Sequence, residues 1–215
     1  MSNIVVGIEG LSDTGKTTLA KNICNSINGI LLDTGMLYRI LAICIISKEL
    51  DIYTEISKPL EQLLNEHKIT YDYIKYCFTC PYNDMDITDV KVTSIATKIG
   101  AKTKTDYYYF FAQILDKLKI GNNVVLVGRN VNLIYDLDFH FYLTASTRKR
   151  TEILLNKNKE IPYEKAFQIV KQREKIEKKG FSSLNKFHPI TIDVSNYCEH
   201  ELYIYILSLI SYLTK

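Results

Sequence analysis

Eight residues near the start of the chain, Gly10-Leu11-Ser12-Asp13-Thr14-Gly15-Lys16-Thr17, carry the pattern G-x-x-x-x-G-K-[ST]. Two glycines at that spacing let the backbone curl with its N–H groups pointing inward, a geometry suited to an oligophosphate. A helix starting near Lys16 adds its positive dipole end, the Lys16 ammonium bridges phosphates, and the Thr17 hydroxyl suits Mg²⁺. The apolar run Ile4-Val5-Val6-Gly7-Ile8 before the pattern and a helical period after it supply the strand and helix the loop needs. This combination predicts a nucleoside triphosphate site.

The elements that position the loop follow from the alternation of short apolar runs with helical periods, the pattern of a parallel sheet covered by helices. Leu19, Ala20, Ile23 and Ile27 recur at helical spacing, and Asn28-Gly29 closes that helix. Ile30-Leu31-Leu32, Val124 to Val127, Phe139 to Leu143 and Ile190-Thr191-Ile192 read as four more strands, and a helix carrying Leu202, Ile206, Leu209 and Ile210 begins at about Glu199. His140 alternates with aromatics inside a strand and reads as a satisfied structural histidine. Residues 33–105 are too long for a crossover and predict an inserted subdomain. From Asn156 to His188 a basic run, Lys157, Lys159, Lys165, Lys171, Arg173, Lys175, Lys178, Lys179 and Lys186, reads as a helix, a break at Gly180 and a loop. Most such lysines form a solvated face, yet a basic flap opposite a phosphate loop can close on a triphosphate and exclude water.

Composition allows this and little else. The 215 residues are 47% apolar and 24% charged, enough for one folded domain, and the net charge of +3 gives no ground for a nucleic-acid partner. The longest apolar run, Ile40 to Ile46, is far short of a membrane span, so a cytoplasmic monomer is expected, with no membrane or nucleic-acid partner. Five scattered cysteines, Cys24, Cys44, Cys77, Cys80 and Cys198, fit reduced thiols. The one close pair, Cys77 and Cys80, lacks two further nearby ligands for zinc and reads as part of a strand pair in a Tyr-rich segment.

Four blocks bear a resemblance to a known family. They are Gly7-Ile8-Glu9-Gly10 through Lys16-Thr17-Thr18-Leu19-Ala20, then Leu32-Asp33-Thr34-Gly35-Met36-Leu37-Tyr38-Arg39, then Gly128-Arg129-Asn130 with Leu137 through Ser146, and last Gln172 to Glu177 with Ile192-Asp193-Val194-Ser195. In order and spacing the chain resembles the bacterial-type cytidylate (CMP/dCMP) kinases of the nucleoside monophosphate kinase group, and Asp86-Ile87-Thr88 is similar to that family's D-V-T. The resemblance implies an α/β P-loop NTPase fold in three α/β/α layers, with a five-stranded parallel sheet, an inserted NMP-binding subdomain and a helical lid. It divides the single kinase domain into a core of residues 1–32, 106–155 and 187–215, an insert of 33–105 and a lid of 156–186.

The same resemblance implies an enzyme using ATP and Mg²⁺ to phosphorylate CMP or dCMP, with Lys16, Arg129 and Arg173 catalytic. ATP would be held by Gly10, Ser12, Asp13, Thr14, Gly15, Lys16, Thr17 and Thr18, the metal by Thr17, and the acceptor by Asp33, Thr34, Arg39, Arg129, Asn130, Arg173 and Glu177. Guanidinium groups suit bidentate phosphate contact, and phosphoryl transfer asks for positioning and charge neutralisation more than for a strong base. Glu177 stands where the family contacts a ribose hydroxyl. Several positions depart from the family. Asn130 replaces the Asp that accepts from the cytosine amino group, Val127 replaces an acidic residue, and Gly180 stands where a second lid arginine is expected. These departures leave open a different acceptor, such as UMP, a modified pyrimidine nucleotide or another small phosphorylated metabolite, or a catalytically weak nucleotide-binding relative.

Overall fold

The computed structural model describes residues 3–82, 85–102, 105–177 and 188–213. The chain runs through β1 (Val5–Gly10), α1 (Lys16–Ser26), β2 (Gly29–Asp33), α2 (Thr34–Ser47), the short α3 (Ile52–Glu55) and α4 (Leu60–His67). The hairpin β3 (Thr70–Asp72) and β4 (Cys77–Thr79) follows, then α5 (Val90–Gly100), α6 (Thr105–Leu118), β5 (Asn123–Gly128) and β6 (Phe139–Thr144). Helices α7 (Thr147–Lys157) and α8 (Tyr163–Glu177), strand β7 (Ile190–Asp193) and α9 (Glu199–Leu213) complete it.

The five long strands form one sheet in the order β2-β5-β1-β6-β7, every neighbouring pair parallel. The central strands β1 and β5 are buried on both faces, which is why they read as continuous hydrophobic runs, whereas β6 alternates in burial. On β5, Val124 and Leu126 pack against α2, α5 and α6 through Leu37, Leu41, Val92, Ile99 and Phe111, whereas Val125 and Val127 turn to the other face. There they meet Leu19 and Ile23 of α1 and Leu202, Ile206 and Ile210 of α9. This is the three-layer α/β arrangement that the strand and helix periods predict.

The strand order reverses beside β1, and in open parallel sheets a ligand crevice forms at that point, beyond the carboxyl ends of the strands. The loop after β1, Asp33 at the end of β2 and Arg129 just after β5 therefore meet at one edge. Among the described residues of 33–105, Leu60, Leu63, Ile69 and Phe78 belong to the same buried cluster as Leu32 and Leu126. One local expectation shifts. The α1 helix is closed by Asn28 in the left-handed region (φ 48°), and Gly29 is already the first residue of β2. The break at Gly180 and Lys178, Lys179 and Lys186 lie outside the described residues. Among the described residues no helix is long and apolar enough to cross a membrane.

Candidate active site

Gly15 caps α1 with φ 83°, a conformation that favours glycine, and no side chain caps the first turn. The free N–H groups there, with the helix dipole behind them, make an anion site. Gly10 ends β1 with φ 143°, and a Cβ on it would strike the Leu143 carbonyl of β6. The loop can therefore leave the sheet only through glycine at that point. The Lys16 ammonium is folded back over the loop, donating to the Leu11 carbonyl at 2.5 Å with Thr14 Oγ1 at 3.5 Å. Burial pushes it down to about 8, against the Glu177 carboxylate, which raises it.

A cleft of about 470 Å³ opens from this loop. Among the described residues six basic side chains line it, Lys16, Lys21, Arg39, Arg129, Lys157 and Arg173, against Asp13 and Asp33, so it suits a polyanion. The carboxylate of Asp33 caps α2 by accepting from the Gly35 N–H at 2.8 Å. Its other oxygen lies 3.4 Å from the Thr17 hydroxyl and 3.9 Å from Arg39 Nη1. A hydroxyl and a carboxylate beside a phosphate loop are hard oxygen donors of the kind Mg²⁺ takes. Among the described residues Arg39 otherwise meets the Met36 sulfur, at 3.6 Å, and its guanidinium fork lines the cleft without a strong partner there.

Arg173 of α8 spans the cleft. It donates to Asp13 Oδ2 at 2.8 Å and to Thr93 Oγ1 of α5 at 2.6 Å, while its buried Nε has no partner among the described residues. Arg129 donates to the Ser12 hydroxyl at 3.1 Å and to Glu177 at 2.5 Å. Behind it a buried polar group fixes the turn after β5. Glu9, wholly buried in β1, accepts from the Asn130 N–H at 2.5 Å and pairs with His140 at 3.0 Å. His140 is thus the satisfied structural histidine its strand position predicts. Asn130 sits in the left-handed region, its Nδ2 on the Tyr108 hydroxyl at 3.2 Å and its Oδ1 buried without a partner among the described residues.

Of the residues expected from sequence, Ser12 to Thr18, Asp33, Thr34, Arg39, Arg129 and Arg173 all line the cleft. Gly10, Asn130 and Glu177 do not. Gly10 lies against β6, Asn130 against Tyr108, and Glu177 against Ser12 and two arginines. Sequence reasoning missed Arg150, which is fully buried on α7 and donates from Nε to the Ser12 carbonyl at 2.7 Å. The triplet Arg148-Lys149-Arg150 reads as a solvated charge run. Only the register of α7, in which Arg150, Thr151 and Leu154 face inward, distinguishes it. Glu9 was equally missed, although a carboxylate inside an apolar central strand is a signal that something pairs with it. Cys77 lies in β4 as a strand residue, while the Cys80 thiol donates to the Tyr82 carbonyl at 3.3 Å.

A parallel sheet with a glycine loop after its central strand, and arginines converging on that loop, defines the class, a phosphate-loop kinase. Within that class the chain belongs to the cytidylate kinase family, whose family model matches residues 6–211. It is 30% identical to a cytidylate kinase of Ureaplasma urealyticum over 80% of this chain and 78% of that one. It is likewise 30% identical to one of Mycoplasmopsis pulmonis, with the same coverage. A gluconokinase from Sinorhizobium meliloti shares the fold at a TM-score of 0.51 and 11% identity, over 99% of this chain and 93% of that one.

Proposed function

We propose that the protein transfers the γ-phosphoryl group of ATP to CMP or dCMP, giving ADP and the nucleoside diphosphate. The observation that carries this reading is the convergence of Arg39, Arg129 and Arg173 on the cleft that opens from the Lys16 loop. In the reaction an acceptor phosphate oxygen bonds to the γ-phosphorus as the bond to the β-bridging oxygen breaks. A phosphate monoester has its second pKa near ~6, so the acceptor arrives ionised at neutral pH and no general base is required. The difficulty is bringing two anions together, which a surplus of fixed cations relieves.

The side chains divide that task. The loop N–H groups and Lys16 hold the triphosphate, Lys16 exchanging its bond to the Leu11 carbonyl for phosphate oxygens. Arg39 takes the acceptor phosphate, since its fork is the least committed of the three arginines. Arg129 and Arg173 flank the transferring group, Arg173 from α8, which acts as the lid. Thr17 and Asp33 would hold Mg²⁺, which supplies charge neutralisation on the phosphate oxygens. Membership of the cytidylate kinase family favours this acceptor over the alternatives left open by the sequence.

The test is an ADP-release assay over the common nucleoside monophosphates and their deoxy forms. CMP and dCMP are expected to give the highest kcat/KM. ATP binding without turnover of any acceptor would point instead to a non-catalytic nucleotide binder.

A further inference from the structure

Arg150, Leu154 and Lys157 stand four and three residues apart on α7, a spacing that stacks them along one side of the helix. Arg150 and Leu154 are buried, and Arg150 ties this side to the phosphate loop by donating from Nε to the Ser12 carbonyl at 2.7 Å. Further along the same side, Leu154 and Lys157 line the cleft. The register of α7 thus delivers the Lys157 ammonium to the loop, with Nζ 3.9 Å from Asp13 Oδ1. That approach is a charge contact too long for a hydrogen bond, and Asp13 gives its other oxygen to Arg173 at 2.8 Å. Lys157 is therefore a half-exposed cation held beside the loop on a flexible stem by a loose partner.

Its charge reaches across the cleft. Burial first of all holds the Lys16 ammonium down, against the pull of Glu177 and Asp13, and the cations Arg129 and Lys157 lower it further. Two ammonium groups near enough to disfavour each other both gain when a polyanion shares their cleft. On the reading of the protein as a kinase of CMP or dCMP, we propose that Lys157 is a further catalytic residue, donating to a non-bridging oxygen of the phosphoryl group in flight. Lys157 keeps its proton throughout. The acceptor oxygen forms its bond to the γ-phosphorus as the bond to the β-bridging oxygen breaks, and Lys157 neutralises charge on the oxygens of the group that moves. The basic run that begins at Lys157 therefore divides. Lys157 belongs to the site, whereas Lys159, exposed and off the cleft lining, belongs to the solvated face.

The experiment compares wild type with Lys157→Met, Lys157→Arg and Lys159→Met in steady-state kinetics on ATP and CMP, with a thermal melt of each protein. Methionine keeps an apolar stem and removes the charge. Lys157→Met is expected to lower kcat by about 10-fold or more, short of the about 10²–10³-fold of an enclosed donor because water reaches the ammonium. Both KM values should move by less than about two-fold, since the contact is made to the group in flight. Lys157→Arg keeps the charge and should stay within about three-fold of wild type in kcat. Lys159→Met makes the same change of net charge two residues on and should stay within about two-fold. All four proteins should melt alike. A raised KM for ATP at unchanged kcat would make Lys157 a ground-state binding group and overturn the proposal. Equal losses in Lys157→Met and Lys159→Met would show a diffuse field, and a kcat loss matched by a lower melting temperature a structural role; each overturns it equally. So would an unchanged Lys157→Met, or a Lys157→Arg as slow as Lys157→Met. Absence of wild-type turnover with both CMP and dCMP would overturn the proposed reaction, and this role with it; the other outcomes bear on Lys157 alone.

Discussion

Arg173 of α8 and Asp13 of the phosphate loop form an ion pair of 2.8 Å, with side chains only 6% and 8% exposed. The pair joins the helix to the loop across the cleft, and the buried Nε of Arg173 has no partner among the described residues.

Arg173→Ala should therefore act twice. It leaves the buried Asp13 carboxylate with only the half-exposed Lys157, 3.9 Å away, among the described residues, a change bounded by the about 3–5 kcal/mol lost when a buried pair loses one partner. It also removes a cation from the transferring group, lowering kcat by about 10²–10³-fold. Thermal melts and steady-state kinetics on Arg173→Ala and Asp13→Ala separate the two effects. Both should lower the melting temperature, while kcat falls further for Arg173→Ala. Equal kcat losses would reduce Arg173 to a structural strut.

Lys16→Ala should abolish transfer and leave the fold intact. Burial holds the ammonium well below its ordinary range, so folding disfavours its charge. Between about 8 and the ordinary value of 10.5 the unfolded chain binds the extra proton, and stability rises with pH through that window. At neutral pH the charged Lys16 is thus a stability cost, and its removal should keep or raise the melting temperature. A variant with near-normal turnover would remove the phosphate-loop assignment.

The same shift sets a pH dependence. In the free enzyme Lys16 loses its proton as pH rises through about 8, so kcat/KM for ATP should fall above that value. Bound triphosphate favours the ammonium, so kcat should hold to higher pH. Coincident alkaline limbs for the two parameters would contradict this.

Arg39→Ala should raise KM for the monophosphate and leave KM for ATP nearly unchanged, because Arg39 lies on α2 and not on the phosphate loop that holds ATP. A charge-assisted bond is worth about 1.5–3 kcal/mol, or about 10–150-fold in binding. Equal losses for both nucleotides would refute the assignment to the acceptor.

Asn130 stands where the family reads the base; its Oδ1, buried off the cleft lining and without a partner among the described residues, reaches a cytosine amino group only if the amide turns into the cleft. An amide can also rotate to donate to a carbonyl. Asn130→Asp should therefore raise the CMP over UMP ratio of kcat/KM, by an amount worth about 1–3 kcal/mol. An unchanged or lower ratio would mean that residue 130 does not read the base.

The sequence exposes what depends on local pattern. The glycine loop and the five strands are legible because backbone curvature and double-sided burial each impose a residue type at fixed spacing, as in Val124 to Val127. Arg39, Arg129 and Arg173 are legible only through the family blocks around them, yet all three reach one cleft. Arg150 and Glu9 stay hidden because their significance is tertiary. Arg150 looks like surface charge until α7 is packed against the loop, and Glu9 acquires its partners only when β6 and the turn after β5 close around it. At Glu177 the residue type matches the family, and its bonds to Ser12, Arg129 and Arg150 are tertiary ones that no pairwise motif encodes.

The most direct measurement follows label from γ-³²P ATP in the presence of CMP and Mg²⁺, with wild type beside Lys16→Ala and Arg39→Ala. The account predicts that wild type moves the label into CDP, that Lys16→Ala moves none, and that Arg39→Ala does so only at raised CMP. Label that stays in ATP, or appears as inorganic phosphate whether or not CMP is present, would contradict it.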